Sequence, residues 1–161
     1  MGKRKKSLCH IKPYQYAGES HPRDIGIYKS LVTSPAWYDL RTSSQSLYIQ
    51  FIAKMNMDDD YVFFYRAELK KIHIDHKTYL RAVDDLITHG FIKVIGHMYM
   101  NKFKPTLCIR PTNVWRNWTG NISADEFIKK YIPPENTRQG NKNTSIKPTK
   151  QNKIIDLKTV Q

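Results

Sequence analysis

The sequence has few of the residues that disulfide frameworks and metal sites require. Cysteine occurs only twice in 161 residues, as Cys9 and Cys108, and neither has a close cysteine partner. A disulfide scaffold is therefore excluded, and a structural zinc site is not expected because zinc ligands usually occur as two close pairs. His73 and His76 are spaced H-x-x-H, but no second pair accompanies them. We expect neither a metal nor a cofactor.

Long apolar runs are also missing. No uncharged apolar stretch approaches the about 20 residues that cross a bilayer, which excludes a transmembrane protein. The basic N-terminus is not followed by the apolar segment of a secretory signal, so we expect a cytoplasmic protein with no membrane partner. Neither a glycine-rich phosphate loop nor a nucleophile motif is visible, and Asp58–Asp60 is typical of a solvated loop. An enzyme is not expected.

Positive charge is what the sequence has in excess. Lysine and arginine number 27 against 14 acidic residues, which makes the net charge +13 and the pI about 9.7. Such a balance favours a polyanionic partner. Split at its composition breaks, the chain carries +4 in residues 1–27, +5 in 28–118 and +4 in 119–161. The charge therefore accounts for affinity and steering, and only part of it belongs to the folded middle.

The same breaks predict the domain organisation. Residues 28–118 contain the apolar patterns of a single domain, and residues 119–132 a short C-terminal helix that Ser123 and Glu126 cap. Residues 133–161 are poor in apolar side chains and are predicted to be a disordered basic tail. Residues 1–27 are predicted to be a partly disordered basic arm, with its charge concentrated in Lys3, Arg4, Lys5 and Lys6.

Three helices are predicted in the middle of the chain. An apolar stripe of period 3.6 marks Ser43–Met55, with Thr42 as its N-cap and Gln45 completing a capping box. A short helix is predicted over Arg66–Lys71. A strong helix is predicted over His76–His89, between an N-cap and a left-handed C′ glycine. The cap is Asp75, the glycine is Gly90, and the expected buried stripe is Tyr79, Ala82, Val83, Leu86 and Ile87.

Three strands are predicted around these helices. The β-branched and aromatic run Tyr61–Tyr65 precedes the short helix. Phe91–Ile95 and Leu107–Arg110 are joined by a polar loop and predict a β-hairpin, in which Cys108 is a buried apolar residue. The predicted fold class is therefore α+β.

The order helix, short strand, short helix, tight turn, longer helix and hairpin is that of a winged helix-turn-helix domain. The segment from Thr78 to Ile92 also resembles the recognition helix and first wing strand of winged helix-turn-helix proteins found among plasmid and phage replication initiators and mobile-element regulators. The resemblance covers roughly residues 28–118. It implies sequence-specific binding of double-stranded DNA, in plasmid or phage replication or in transcription regulation. Because many such initiators carry a second copy of the domain, an accessory or regulatory role is favoured here.

The orientation of the recognition helix then predicts the contacts. Lys77 and Arg81, four residues apart on the face left by the buried stripe, are candidates for guanine edges or phosphates. Asp84 and Asp85 are expected to lie too far from DNA to repel it and to pair with a neighbouring helix. His76 and Thr78 are secondary candidates on this helix, and the candidates in the wing are His97, Lys102 and Lys104.

Two other classes of function stay open at this stage. Winged helices also serve as protein-interaction or dimerisation modules, and the tails alone could then attract polyanions. A charge of +13 permits RNA binding as well, although an exposed aromatic platform is not evident in the sequence. A homodimer could form through residues 1–27 or through the helix near Phe127, and the sequence does not decide between them.

Overall fold

The computed structural model describes residues 27–55, 61–98 and 106–140 and the two-residue strand 145–146. The predictions for Lys3, Arg4, Lys5 and Lys6, and those for Lys102 and Lys104, lie outside these residues. The described chain combines helices with an antiparallel pair of strands, so the predicted α+β class is confirmed. The elements are α1 Lys29–Val32, α2 Pro35–Asp39, α3 Thr42–Lys54, α4 Arg66–Lys71, α5 His76–Thr88, β1 Ile92–Met98, β2 Thr106–Pro111, a 3₁₀ turn Val114–Asn117, α6 Ala124–Tyr131, a 3₁₀ turn Pro134–Asn136 and β3 Ser145–Ile146.

The start of α3 differs from its prediction. The helix begins at Thr42 itself, its N-cap is Arg41, and no side chain of the cap residue bonds to the first turn. Instead, Asp85 from α5 accepts hydrogen bonds from the Arg41 N–H at 3.1 Å and from the Ser44 hydroxyl at 2.5 Å. A carboxylate at a helix N-terminus is favourable for the helix dipole. The cap of α3 is thus supplied across the fold, and the predicted Thr42 capping box is wrong.

The run Tyr61–Tyr65 forms a single bridge where a strand was predicted. Val62 exchanges backbone hydrogen bonds of 2.8 and 2.9 Å with Ile109 of β2. Side chains bind backbone groups farther along this run: Lys54 Nζ donates to the Phe63 carbonyl at 2.7 Å, and the Tyr65 N–H donates to Glu68 Oε2 at 2.8 Å. Lys54 and Glu68 also form an ion pair at 2.6 Å, which ties α3 to α4.

The prediction for α4, the following turn and α5 is confirmed almost residue for residue. Between the two helices His73 adopts φ 56°, and the Ile74 N–H donates to the Leu69 carbonyl at 3.0 Å. Asp75 caps α5 through the amides of Lys77 and Thr78. The buried residues of α5 are the five expected from the apolar stripe, namely Tyr79, Ala82, Val83, Leu86 and Ile87.

Past α5 the chain turns at Gly90, whose φ of 73° is left-handed as predicted, and enters the antiparallel pair of β1 and β2. The predicted hairpin is confirmed, but β1 extends to Met98 where Ile95 was expected as its end. The register shifts between Val94 and Gly96, and pairing resumes at Gly96, opposite Cys108. His97 consequently lies in a strand, not in the polar loop where it was predicted.

The core contains mostly side chains from α2, α3, α5 and the hairpin. Trp37, Tyr48 and Phe91 meet edge to face with ring centroids 5.3–6.0 Å apart. Trp115 of the 3₁₀ turn and Trp118 directly after it pack onto this core, at 4% and 7% exposure. A smaller cluster on the outer side of the hairpin contains Phe63, Met98 and Cys108.

The segment 133–161 was predicted to be disordered, and its first residues differ from that expectation. Pro134–Asn136 form a 3₁₀ turn, and the Thr137 hydroxyl donates to the Pro134 carbonyl at 2.7 Å. Further on, Ser145–Ile146 pair in parallel with the end of β1, so the order of strands is β2–β1–β3. Hydrogen bonds and an ion pair hold residues 134–140, and strand pairing holds residues 145–146, although these residues offer little apolar surface.

Candidate nucleic-acid interface

A basic stripe runs along the outer face of α5. At about 100° per residue, Lys77, Arg81 and Thr88 fall within about 40° of one another and opposite the buried stripe. Lys77 and Arg81 are both exposed, as is His76 in the first turn. The 13-residue helix is therefore held by one face while its opposite face presents two cations four residues apart. This arrangement agrees with the orientation predicted for Lys77 and Arg81.

The first turn of α5 is closed by its own cap. Asp75 accepts from the N–H groups of Lys77 and Thr78 at 2.9 and 3.0 Å, and the Thr78 hydroxyl donates to its other oxygen at 2.5 Å. Hydrogen bonds from Thr78 lower the pKa of Asp75, the hydroxyl being the largest cause. The one hydroxyl hydrogen of Thr78 is thus committed, which leaves this predicted contact residue no free donor for a phosphate. The amides of Lys77 and Thr78 are likewise taken by Asp75, so an anion beside them would be bound by side chains.

The cap predicts a specific pH dependence of stability. We expect Asp75→Ala to lower the Tm at neutral pH, because two amides and one hydroxyl lose their acceptor. The folded pKa of Asp75 is depressed, so its contribution is present above the ordinary aspartate pKa and is lost as pH falls through the folded value. Thermal unfolding measured at pH 7 and below about pH 3 should show the Tm gap to wild type narrowing in acid. Asp75→Asn, which keeps an oxygen acceptor, is the matched control and should lose less; a gap that stays constant with pH would contradict the assignment.

Asp84 lies on the same stripe, and the C-terminal segment neutralises it. It falls within about 20° of Lys77 around the helix axis. Arg138 binds it in two-pronged fashion, with Nε to Oδ1 at 2.6 Å and Nη2 to Oδ2 at 2.5 Å. The hydrogen bond to Asp84 raises the pKa of Arg138. Asp84 was expected to lie too far from DNA to repel it and to pair with a neighbouring helix. It lies instead on the same stripe as Lys77, and its partner comes from the segment predicted to be disordered.

Asp85 points away from this stripe and positions the helix. Besides holding the start of α3, it contacts His89, whose Nδ1 lies 3.6 Å from Asp85 Oδ1. The His89 ring in turn packs on Trp118 with centroids 4.3 Å apart, and the Trp118 indole N–H donates to Asp39 at 2.6 Å. These contacts connect α2, α3 and α5 into one framework, so the outer stripe of α5 is carried by a well-supported element.

The described part of the hairpin places one of the three predicted wing residues. His97 belongs to β1, and its Nδ1 atom is buried without a hydrogen-bond partner among the described residues. His97 is thus half-buried in the sheet. The segment between Met98 and Thr106, which would join β1 to β2, lies outside the described residues, and Lys102 and Lys104 with it.

Reactive side chains are not assembled in the described part of the chain. Burial raises the pKa of the Cys108 thiol to about 12, so this cysteine is protonated at neutral pH and is not a nucleophile. Burial also raises the pKa of Tyr65 to about 12, with Glu68 as the next cause. Within residues 27–55, 61–98 and 106–140, no three His, Cys, Asp or Glu side chains group as metal ligands would.

The chain was compared with protein-family models, with curated proteins and with solved structures. None of the three comparisons finds a match. Among the helices that the structure describes, none has the length and apolar character to span a bilayer.

Sequence reasoning missed three basic residues near these elements. Arg138 was assigned to a disordered tail, and nothing in its local sequence indicates that it pairs with a residue 54 positions earlier. Lys93 and Arg110 were treated as ordinary strand residues. Lys93 alternates with buried neighbours in β1, which indicates that it leaves the core face, but only the strand register shows that Arg110 stands directly opposite it.

Proposed function

We propose that this protein binds double-stranded DNA sequence-specifically, with α5 as the recognition helix of a winged helix-turn-helix domain. The observation that carries the proposal is the outer stripe of α5, where Lys77 and Arg81 are exposed on the face opposite five buried residues. A helix of this kind fits the major groove, and the N-terminal half of a recognition helix lies deepest in it. Lys77 and Arg81 both belong to that half.

The connectivity supports the same assignment. Helix α3 is followed by the bridge at Val62, by α4, by α5 and by the β1–β2 pair. Val62 lies beside β2, and β2 lies beside β1, so three extended segments are neighbours in that order. A winged helix has this sequence of elements: the first helix of its helix-turn-helix, here α4, crosses the DNA backbone, and the second, here α5, enters the major groove. The α4–α5 turn at His73 supplies the helix-turn-helix corner.

Charge near α5 is also suited to DNA. Lys70 and Lys71 are exposed at the C-terminal end of α4, just before the turn that leads into the recognition helix. They stand where the crossing helix of such a motif approaches phosphates. The carboxylates of this face are each engaged, Asp75 by its helix amides and Asp84 by Arg138. The whole chain adds a net charge of +13 for long-range attraction. The biological role that we propose is regulation of transcription or of plasmid or phage replication.

Selection of bound sites from a random duplex library tests this function directly. We expect a defined sequence to be enriched, with a salt dependence that reports the number of phosphates contacted, at a log–log slope of about −0.9 per contact. A palindromic site would in addition report a two-fold symmetric dimer. Failure to enrich any sequence would overturn the proposal. Preferential retention of single-stranded RNA in competition, or a monodisperse dimer with no affinity for either nucleic acid, would instead support the RNA-binding or the protein-interaction alternative.

The Asp84–Arg138 pair offers a prediction specific to this orientation. Asp84→Ala removes a carboxylate from the groove-facing stripe and releases Arg138, so we expect duplex affinity to rise by about three- to tenfold at low salt. Arg138→Ala leaves Asp84 uncompensated and should lower affinity by a similar factor. The matched control is Asp125→Ala, which makes the same charge change on exposed α6. Fluorescence-anisotropy titrations measure all four proteins; equal effects of Asp84→Ala and Asp125→Ala would contradict the proximity of Asp84 to DNA.

A further inference from the structure

We propose that a second copy of this chain docks on the outer face of α3, so that the protein self-associates through this helix. Four exposed residues form that face, at intervals of four, three and four positions: Thr42, Ser46, Ile49 and Ala53. At about 100° per residue they fall within about 60° of one another. They lie opposite the buried residues of the helix. These four residues are called the α3 outer face below.

The α3 outer face is uncharged in a chain that is otherwise strongly charged. Between Arg41 and Lys54 the sequence contains no lysine, arginine, aspartate or glutamate. The exposed face of a surface helix normally carries charged residues, whereas charged residues are depleted in the core of a protein interface. Two copies with a net charge of +13 each repel one another. An uncharged face is where the electrostatic cost of bringing them together is lowest.

Exposed apolar side chains occur at this same surface. Among the residues that the structure describes, two large apolar side chains are exposed, Tyr38 at 70% and Ile49 at 37%. The Trp37 carbonyl accepts a hydrogen bond of 2.7 Å from Gln45 Nε2, which places the neighbouring Tyr38 beside α3. Gln45 lies about one turn before Ile49 on that helix. Tyr38 thus stands next to the α3 outer face, and tyrosine is one of the residues enriched at interfaces.

The sizes of the side chains suit two α3 helices that pair antiparallel about a two-fold axis. Intervals of four and three residues are those of a helix–helix seam. With the axis midway along the seam, Ile49 faces Ser46 of the second copy and Ala53 faces its Thr42. A large side chain then lies against a small one on each side of the axis, which is how packed layers interdigitate. The same surface serves both copies, as a two-fold contact requires.

This contact leaves the proposed DNA-binding stripe uncovered. Helix α3 packs against α5, and each helix exposes the face opposite its own buried residues. The α3 outer face and the stripe with Lys77 and Arg81 therefore point away from each other. The contact uses neither residues 1–27 nor the helix near Phe127, the two segments that the sequence offered for a dimer. Self-association does not require DNA, so failure of either proposal would leave the other standing.

Sedimentation velocity of the full chain, after nuclease treatment, measures the self-association. One helix face is smaller than a standard stable interface, so we expect a dimer with a Kd on the order of tens of micromolar. Higher salt should tighten it, because screening weakens the repulsion between the two basic chains. Ser46→Lys, at an exposed position, should raise the Kd at least about tenfold by placing an unpaired charge in the seam. The matched control Ala124→Lys adds the same charge on exposed α6 and should change the Kd by less than about twofold.

Mixing two variants tests that the occupant is a second copy. Ser46→Lys and Ile49→Glu should each fail to self-associate alone, with Tm values that confirm folding. Their equimolar mixture should regain the dimer, because the antiparallel register sets the introduced lysine of one copy against the introduced glutamate of the other. A wild-type chain that stays monomeric up to about 0.5 mM, or a dimer that weakens with salt, would overturn the proposal. So would equal effects of Ser46→Lys and Ala124→Lys, or a mixture that recovers no dimer.

Discussion

Replacing Lys77 and Arg81 together with alanine is expected to lower the affinity for the selected duplex by about two orders of magnitude. Each side chain contributes about 1–3 kcal/mol when it contacts a base edge, and the two lie on one face of α5. Neither side chain contributes to the core, because both are exposed. The Tm of the double variant should therefore stay close to that of wild type, so that lost binding is not lost folding.

The matched control is Lys29→Ala/Lys129→Ala, which removes the same charge from exposed positions on α1 and α6. It should lower the affinity only by the general electrostatic effect, several-fold at low salt and less at high salt. Anisotropy titrations with the selected site and with a scrambled duplex measure both proteins. If the two double variants lose the same affinity on both duplexes, α5 is not the recognition helix.

Salt titrations of the single variants separate the two kinds of contact. A residue that binds phosphate weakens binding uniformly across sequences and reduces the magnitude of the log–log salt slope by about 1. A residue that binds a base edge relaxes the sequence preference and leaves the slope nearly unchanged. Arg81, whose guanidinium matches the two acceptors of guanine, is expected to behave in the second way, and Lys77 in the first.

Gly90→Ala is expected to cause a large loss of stability, because a left-handed backbone conformation and close backbone contacts coincide at this residue. Gly90 has φ 73°, which costs an L-residue about 1–2 kcal/mol. A Cβ built there would also lie 2.8 Å from the Trp115 nitrogen and 3.0 Å from the Val114 carbonyl carbon. Both are backbone atoms, and overpacking against atoms that cannot move adds about 1–3 kcal/mol. The free energy of unfolding should therefore fall by about 2–5 kcal/mol.

Gly120→Ala separates the two parts of this loss. Gly120 has nearly the same φ, 74°, but a Cβ built there would meet nothing within 4 Å. Its substitution should cost only the conformational part, about 1–2 kcal/mol. Urea unfolding measures the loss of stability in each variant. The difference between the two losses is the cost of overpacking at Gly90 against the 3₁₀ turn. Equal losses of unfolding free energy at the two glycines would show that the close approach to Val114 and Trp115 adds nothing to the cost of Gly90→Ala.

Local signals in the sequence were sufficient to predict the positions of α4 and α5. An aspartate cap, a glycine at C′ and an apolar stripe of period 3.6 are all read within one stretch of chain, and the structure reproduces them from Asp75 to Gly90. The hairpin followed from two short β-rich runs for the same reason. Where every determinant of an element lies within a few residues, the pattern alone identifies the element and the face it buries.

The failures all involve partners that are distant in sequence. Asp85 replaces Thr42 as the cap of α3 from 44 residues away. The expected strand at Tyr61–Tyr65 is reduced to a single bridge, between Val62 and Ile109. The extension of β1 to Met98 depends on a register irregularity that no periodicity records. In each case the competing contact exists only once the helices and strands have packed.

The sequence by itself determined that α5 is amphipathic, that Lys77 and Arg81 share its polar face, and that the chain is strongly basic, because these properties depend on local spacing and on composition. The tertiary structure alone decided which of these polar and charged side chains already have a partner in the fold. It commits the Thr78 hydroxyl to Asp75, neutralises Asp84 with Arg138, and sets Lys93 opposite Arg110. The last two depend on pairings between residues far apart in the chain. Availability of a charge is a property of its three-dimensional neighbours, and only the folded chain supplies them.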